Sequence, residues 1–305
     1  MGRYIIRRIL GFFPTLFCVI TVAFFIIRVA PGGPFDRDKK IPPKVLEAIE
    51  EKYHLDKPLY VQYVLYLKQI ASFDLGPSYK YQEMSVNEIV GQGFPVSMQL
   101  GLVALFFSLM IGLGAGLIAA IRRNTFWDYG SMGFAMLGIA IPNFVIAPIL
   151  ILFFSLGLSI FPPGRWESWE SVILPGFSLS LVHAAYIARL ARAGMLDVLT
   201  EDFIRTARAK GLRERLVILR HALRGGITPA VSYLGPAAAA MLTGSIVVEK
   251  IFLIPGMGRY FVDAALNRDL TLVMGVVIVD AAVLLVFNLI VDILYGVLDP
   301  RVRYD

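Results

Sequence analysis

The chain is short of nearly everything that covalent or metal chemistry uses. Its 305 residues include one cysteine and three histidines, and only 17% of them are charged. Cys18 lies inside an apolar run, so no internal disulfide is possible and the redox compartment is not written in the cysteines. His54, His183 and His221 are scattered and make no metal-ligand spacing. There is no G-x-x-x-x-G-K-[ST], which excludes ATP hydrolysis in the P-loop manner by this chain alone. H-E-x-x-H and G-x-S-x-G are missing as well, so catalysis is not expected. Low-complexity segments and obvious internal repeats are absent too.

Apolar residues fill the space. The hydrophobic fraction is 57%, against roughly 45–50% in ordinary soluble domains. With a mean hydropathy of +0.69, this composition describes an integral membrane protein. The uncharged runs are Ile9–Ile27, Val96–Ile121, Tyr129–Ile160, Ser171–Ala188 and Gly225–Val248. A sixth, Leu270–Leu298, is interrupted only by Asp280 and Asp292. At 1.5 Å per residue each is long enough to cross a bilayer as a helix. The first is kept as a span rather than a cleaved signal peptide, because Ala30 is followed by Pro31 and no A-x-A site appears. The expectation is an all-α membrane protein of six spans.

Basic residues set the orientation. Arg3, Arg7 and Arg8, then Arg122 and Arg123, then Arg189, Arg192 and a dense cluster at 205–224 fall on one side of a six-span layout. The opposite short connections carry only Arg165, Lys250, Arg259 and Arg268. The positive-inside rule places both termini in the cytoplasm and makes nucleic acid an unnecessary explanation for the net charge of +6. Three regions follow: residues 1–30 with span 1, an external cap at 31–94, and a core at 95–305 with a cytoplasmic loop at 189–226. In the cap, Val45, Leu46, Ile49 and Tyr53, then Tyr60, Tyr63, Val64 and Leu67, predict two short amphipathic helices divided by Asp56-Lys57-Pro58. Between spans 5 and 6, Ile254-Pro-Gly-Met-Gly-Arg259 marks a sharp turn or a re-entrant loop.

The cytoplasmic stretch Phe203–Arg224 carries Arg205, Arg208, Lys210, Arg213, Arg215, Arg220 and Arg224 against the single acid Glu214. Leu212, Leu216, Leu219 and Leu223 recur at helical spacing, which allows a lipid-facing second half. Phe203, Ile204 and Ala207 make a short apolar patch that ends at Gly211, a natural helix terminator. Thr206 and Leu212 complete the candidate docking set. A short helix, a glycine and a second helix returning to the membrane form a projecting elbow suited to a protein socket.

Polar residues inside spans are few. Asp280 lies about ten residues, roughly 15 Å, into span 6, where a carboxylate is either functional or hydrogen-bonded to a neighbouring helix. Asp292 is expected to pair with Arg301 or Arg303. His183, Asn143, Ser178, Ser180 and Asn288 are the remaining candidates for a polar pathway. Gly112-Leu-Gly-Ala-Gly116 predicts close helix contact, and Pro142 with Pro148 predicts a kinked third span.

The elbow resembles the signature loop of ABC importer permeases, E-A-A-x-x-x-G followed by I-x-L-P. Ala207, Gly211 and Leu223 match that pattern, while Arg205 and Thr206 replace the acid and first alanine, and Arg224 stands at the proline, with Pro229 beyond. R-T-A-R-A-K-G-L and R-H-A-L-R are the form used by the peptide-importer branch. The resemblance runs along the whole chain: Arg28-Val-Ala-Pro-Gly-Gly-Pro34, Asp74-Leu-Gly-Pro-Ser78, Phe94-Pro-Val-Ser97, Ile254-Pro-Gly-Met-Gly258, Leu266-Asn-Arg-Asp269 and Asp299-Pro-Arg-Val-Arg-Tyr304 are similar to the B-type inner-membrane subunits of oligopeptide permeases.

That resemblance implies a type I importer architecture in the inner membrane. It implies a second homologous permease, two ATPase subunits that bind ATP and magnesium, an external peptide-binding protein and a peptide cargo. No cofactor is expected in this chain. The coupling helix would fall around Phe203–Lys210, ended by Gly211. A proton-driven transporter using Asp280 is the first rival, and it should show two similar halves. A scaffold holding anionic lipid through Arg213, Arg215 and Arg220 is the second. Dipeptides, glutathione or nickel chelates are alternative cargoes within the family.

Overall fold

A computed structural model describes residues 2–29, 56–81 and 83–298. The expected first cap helix near Val45–Tyr53, the Asp299–Tyr304 motif and Arg301 and Arg303 lie outside these residues. Among the described residues the chain is helical, and its only bridge of strand type pairs Pro77 with Ser85.

Helix α1, Gly2–Val29, is followed by α2, Leu59–Ala71, which lies against its outer half. Thr21 Oγ1 and Tyr63 Oη are 2.7 Å apart, and the Phe24 ring stacks on Tyr66 with centroids 5.5 Å apart. The face of α2 turned inward thus carries Tyr63 and Tyr66. Tyr60 and Val64, expected on that face, are exposed.

Helix α3, Val86–Ile121, begins ten residues earlier than the uncharged run predicts and passes through the expected 94/95 boundary. Ser85 starts it: the serine side chain accepts from the Glu88 amide while Glu88 reaches back to the Ser85 amide.

The third span departs from expectation. Instead of one kinked helix, α4, Phe126–Ala140, and α5, Asn143–Leu150, meet at 106°, and α5 continues as a π-helical segment, Ile151–Gly157. Pro142 explains the break. Its ring forces the preceding residue out of helical conformation, and Ile141 is extended at φ −107°, ψ 119°. Five helices are long and apolar enough to cross a membrane, and the bent pair counted as one crossing makes the sixth.

Helix α6, Ile173–Leu199, overruns its predicted end at Ala188 by three turns, so Arg189 and Arg192 sit on a helix rather than in a loop. The elbow follows as α7, Asp202–Ala209, and α8, residues 214–226, whose middle, Val217–Ala222, is π-helical. Helix α9, Thr228–Leu242, and the short α10, Ile246–Ile251, form the fifth span and are separated at Gly244. Helices α11, Met257–Leu266, and α12, Leu270–Leu298, complete the fold.

The core is centred on α3 and α6. A Cβ placed on Gly112 would lie 2.7 Å from that of Ile187, and one on Gly116 would lie 2.5 Å from the Ala188 carbonyl oxygen. Two glycines four residues apart therefore let backbone meet side chain directly, the small-residue contact predicted for this stretch. Gly114, on the other face, has open space beside it. Leu100, Ala104, Leu174, Leu179, Met241 and Phe252 extend the same core towards α9 and α10.

At the end of the bundle where α12 begins, two buried carboxylates hold the loops. Glu249 is fully buried; it accepts from Ser97 Oγ at 2.7 Å and from the amides of Gly258 and Arg259 at the start of α11. Gly244 and Gly256 crowd the same carboxyl, and a Cβ on either would lie 2.5 Å from it. The Ile254–Arg259 turn is thus a receptor for the chain's own carboxylate, made from amides at a helix N-terminus. Asp269 caps α12 through the Leu272 amide at 3.1 Å, accepts from the Lys80 amide at 3.2 Å and takes a short hydrogen bond from Ser78. Two sequence motifs far apart in the chain meet there.

Gly116→Leu should destabilise the purified protein by about 1–3 kcal/mol through overpacking, whereas Gly114→Ala should leave its thermal unfolding unchanged. Equal melting temperatures for both variants would refute the contact. Glu249→Leu should cost about 3 kcal/mol, because the serine hydroxyl and two amides lose their acceptor in a dry site. A melting curve close to the parent's would contradict the proposed role of that carboxylate.

Candidate functional site

The basic elbow folds around its apolar residues. Ile204 and Ala207 are buried against Val217 and Ala222 of α8, Met195 of α6 and Ala120 of α3. Phe203, 46% exposed, points away, and Arg205, Thr206, Arg208, Lys210 and Gly211 are exposed with it. The sequence grouped Phe203, Ile204 and Ala207 as one patch; burial divides them. At about 100° per residue Ala207 lies between the other two, about 40° from Phe203 and about 60° from Ile204, so the three share one arc and Phe203 takes its exposed edge. Two residues seat the elbow on the bundle, and the third is offered outward.

The first helix of the elbow ends as the glycine predicts. Gly211 has φ +74°, its amide bonds the Arg208 carbonyl at 2.9 Å, and the Leu212 amide bonds the Ala207 carbonyl at 3.4 Å. This is a Schellman terminus, completed by Leu212 packing on the cluster that holds Ala207. Across the turn Arg208 grips Glu214 with two hydrogen bonds, Nη2 to Oε1 at 2.7 Å and Nε to Oε2 at 3.1 Å. That contact holds the Glu214 carboxyl below its ordinary range and raises Arg208 above its own. The single acid of the segment is therefore a latch. Asp202 adds an exposed ion pair to Arg205 at 3.2 Å and lies in the first turn, where the helix dipole favours an acid.

The leucine stripe is redistributed. Leu212 and Leu223 pack on the cluster, while Leu216 and Leu219 are exposed, and the buried contacts come from Val217 and Ala222. The π-helical segment between them lengthens the repeat, so a 3.6-residue template selects the wrong residues.

Asp128 was not anticipated. It is 1% exposed and accepts from Arg192 Nε at 2.8 Å and Nη2 at 2.9 Å, with the Asn124 amide at 2.9 Å completing the site. The pair joins the first turn of α4 to α6 a little above the elbow. The only signal in the sequence was an acid just past a pair of arginines, at the edge of an apolar run.

The pathway candidates are carried by α5, α6 and α12. Ser178 and Ser180 are fully buried, and Ser180 bonds the Phe177 carbonyl of its own helix at 2.7 Å. His183 Nδ1 meets Tyr233 Oη at 2.9 Å, joining α6 to α9. Asn288 packs on Gly235, where an added Cβ would lie 2.7 Å from its Oδ1. Asn143 Oδ1, Ser178 Oγ and Asp280 Oδ1 are buried without a hydrogen-bond partner among the described residues. Asp292 pairs with Arg8 at 3.1 Å, which ties the end of α12 to the start of α1.

Comparison with known proteins gives these features a family. Residues 112–304 match the model described as "Binding-protein-dependent transport system inner membrane component", and residues 1–101 match its N-terminal companion. The chain is 49% identical to the oligopeptide transport system permease protein OppB of Escherichia coli (strain K12) and 47% identical to that of Haemophilus influenzae, in each case over 100% of both chains. It is 45% identical to the dipeptide transport system permease protein DppB of Bacillus subtilis (strain 168), over 99% of this chain and 98% of that one. A solved structure of the MetNI methionine ABC transporter aligns with a TM-score of 0.58 at 15% identity, over 69% of this chain and 96% of that one; it shares the type I permease fold. This multi-pass membrane protein therefore belongs to the family of binding-protein-dependent transport system inner membrane components, the permease subunits of ABC importers.

Proposed function

We propose that this chain forms half of the translocation pathway of an ATP-driven importer for oligopeptides in the inner membrane, with its termini and elbow in the cytoplasm. Its partners on this reading are a second permease, two ATPase subunits that bind ATP and magnesium, and an external peptide-binding protein. The observation that carries the proposal is the division of α7 into two faces. Ile204 and Ala207 fix it to the ends of α3 and α6, while Phe203, Arg205, Thr206, Arg208 and Lys210 face outward. A helix seated this way moves with the bundle when something grips its outer face.

Oligopeptide cargo is the first choice because the permeases named for it align over the full chain. The 45% identity to a permease named for dipeptides supports a second reading in which only the cargo differs.

Phe203→Asp should lower ATP-dependent uptake of a labelled peptide by the reconstituted complex about tenfold, with the melting temperature unchanged, since an aromatic anchor at a socket is lost and no core contact is touched. Normal uptake by this variant would sink the docking role. Ile204→Asp should instead unseat the elbow and lower the melting temperature.

Gly211→Val tests the turn separately. It forces a β-branched residue to positive φ and should uncouple ATP hydrolysis from uptake while leaving the chain inserted. Tight coupling in that variant would contradict the proposed role of the turn.

The latch has a pH signature. The Glu214 pKa is lowered in the folded state, so its contribution is present above the unfolded value and is lost as pH falls through the folded one. The Glu214 carboxyl carbon, followed by NMR, should titrate below a free glutamate, and Arg208→Gln should return it to the ordinary range.

A further inference from the structure

A cavity of about 430 Å³ lies at the end of the bundle opposite the elbow, between α1, α2 and the first turns of α12. Its depth in the membrane follows from the spans themselves. The apolar stretch of α1 ends at Arg28 and that of α12 begins at Leu270, and both residues line the cavity. The site therefore straddles the plane at which two helices leave the hydrocarbon.

Its lining is split in the same way. Phe24, Ile27 and Met274 give an apolar wall, while Arg28 and Lys68 supply two cations. Among the described residues neither cation forms an ion pair with a carboxylate. Asp74, the only acid among the described lining residues, is engaged by the Gly76 amide at 2.9 Å and Gln69 Nε2 at 3.2 Å. The Arg28 guanidinium lies 5.5 Å from the Phe24 ring centre, and Tyr66 stacks on the same ring with centroids 5.5 Å apart. Tyr66 Oη is buried and has no hydrogen-bond partner among the described residues. Burial pushes this phenol above its ordinary pKa, so it remains a neutral donor. Two cations, one unused hydroxyl donor and an apolar wall, set at a membrane boundary, together match one ligand chemistry.

We propose that this cavity binds a phospholipid, with the phosphate between Arg28 and Lys68, the Tyr66 hydroxyl donating to it, and the start of an acyl chain along Phe24, Ile27 and Met274. A bound lipid there would fill the space between α2 and the bundle and fix the cap helix to the membrane surface.

The test uses the full chain with the subunits that purify with it, stripped of lipid in detergent and analysed by native mass spectrometry. The probes are palmitoyl-oleoyl phosphatidylglycerol, diacylglycerol with the same chains, and inorganic phosphate. One phospholipid should be retained by the parent protein and weakened about tenfold by the double variant Arg28→Gln, Lys68→Gln. Diacylglycerol should not be retained, and millimolar inorganic phosphate should not displace the lipid. Ser72→Trp, at the exposed rim, keeps both cations and should block the mouth with the same loss of lipid. Arg259→Gln, on α11, should change nothing. Equal retention by the parent, the double variant and Ser72→Trp would overturn the site. Retention of diacylglycerol would overturn the phosphate contact, and displacement by inorganic phosphate would show that the source is the free ion and not a lipid.

Discussion

Direct contact between α3 and α6 is the constraint on which the rest of the structure depends. In lipid the hydrophobic effect does not drive helices together, because a lipid tail is as apolar as leucine; association comes from packing and from polar contacts between helices. Gly112 and Gly116 remove the side chains that would hold the two backbones apart. Once the helices touch, α6 is free to run three turns past its uncharged stretch, because its lower part has α3 and the Asp128–Arg192 pair to lean on. Ile204 and Ala207 close over the ends of both helices. The elbow is thus an extension of a rigid pair, and on the proposed reading a push on Phe203 displaces both helices together.

The two ends of the bundle hold their charges differently. At the elbow the ion pairs Arg205–Asp202 and Arg208–Glu214 are exposed, and water screens them, so each contributes little to stability. They shape the surface without locking it. At the other end Glu249 and Asp269 are fully buried, and each is surrounded by amides and a serine hydroxyl. Breaking either strands donors in a dry site, which costs far more. The exposed pairs leave the outer surface of the elbow open to new partners, while its inner face stays packed on α3 and α6.

The long uncharged runs, the glycine pair of α3 and the end of α7 at Gly211 were all legible in the sequence, because each depends on a local rule: hydrophobic length, small-residue spacing, left-handed backbone. What was not legible depends on partners distant in the chain. The Ile254–Arg259 turn shows its glycines in the sequence, but the carboxylate they surround enters from Glu249 on the preceding short helix. Asp128 looks like an ordinary charge at a helix start until Arg192, 64 residues later, closes on it. The 106° bend exceeds what two prolines announce, since a proline fixes where a helix stops and not the direction in which the next one leaves. In α8 the π-helical segment defeats a fixed repeat, and the leucines it favours turn outward.

The polar residues inside the spans follow a related logic. His183 joins α6 to α9 through Tyr233, and Asn288 fits against Gly235. Where hydrocarbon gives no preference between one apolar face and another, a polar contact of this kind sets the register between helices. A peptide pathway that tolerates varied side chains gains nothing from a strong fixed site on its wall. On the proposed reading, contacts such as those of His183 and Asn288 serve the helix packing rather than the cargo. The charge at the elbow argues the same way for the partner. Asp202 and Glu214 offset two of the arginines, but Lys210, Arg213, Arg215 and Arg220 are exposed, as Phe203 is. A groove that receives this surface must offer an apolar recess for the ring and acidic groups around it.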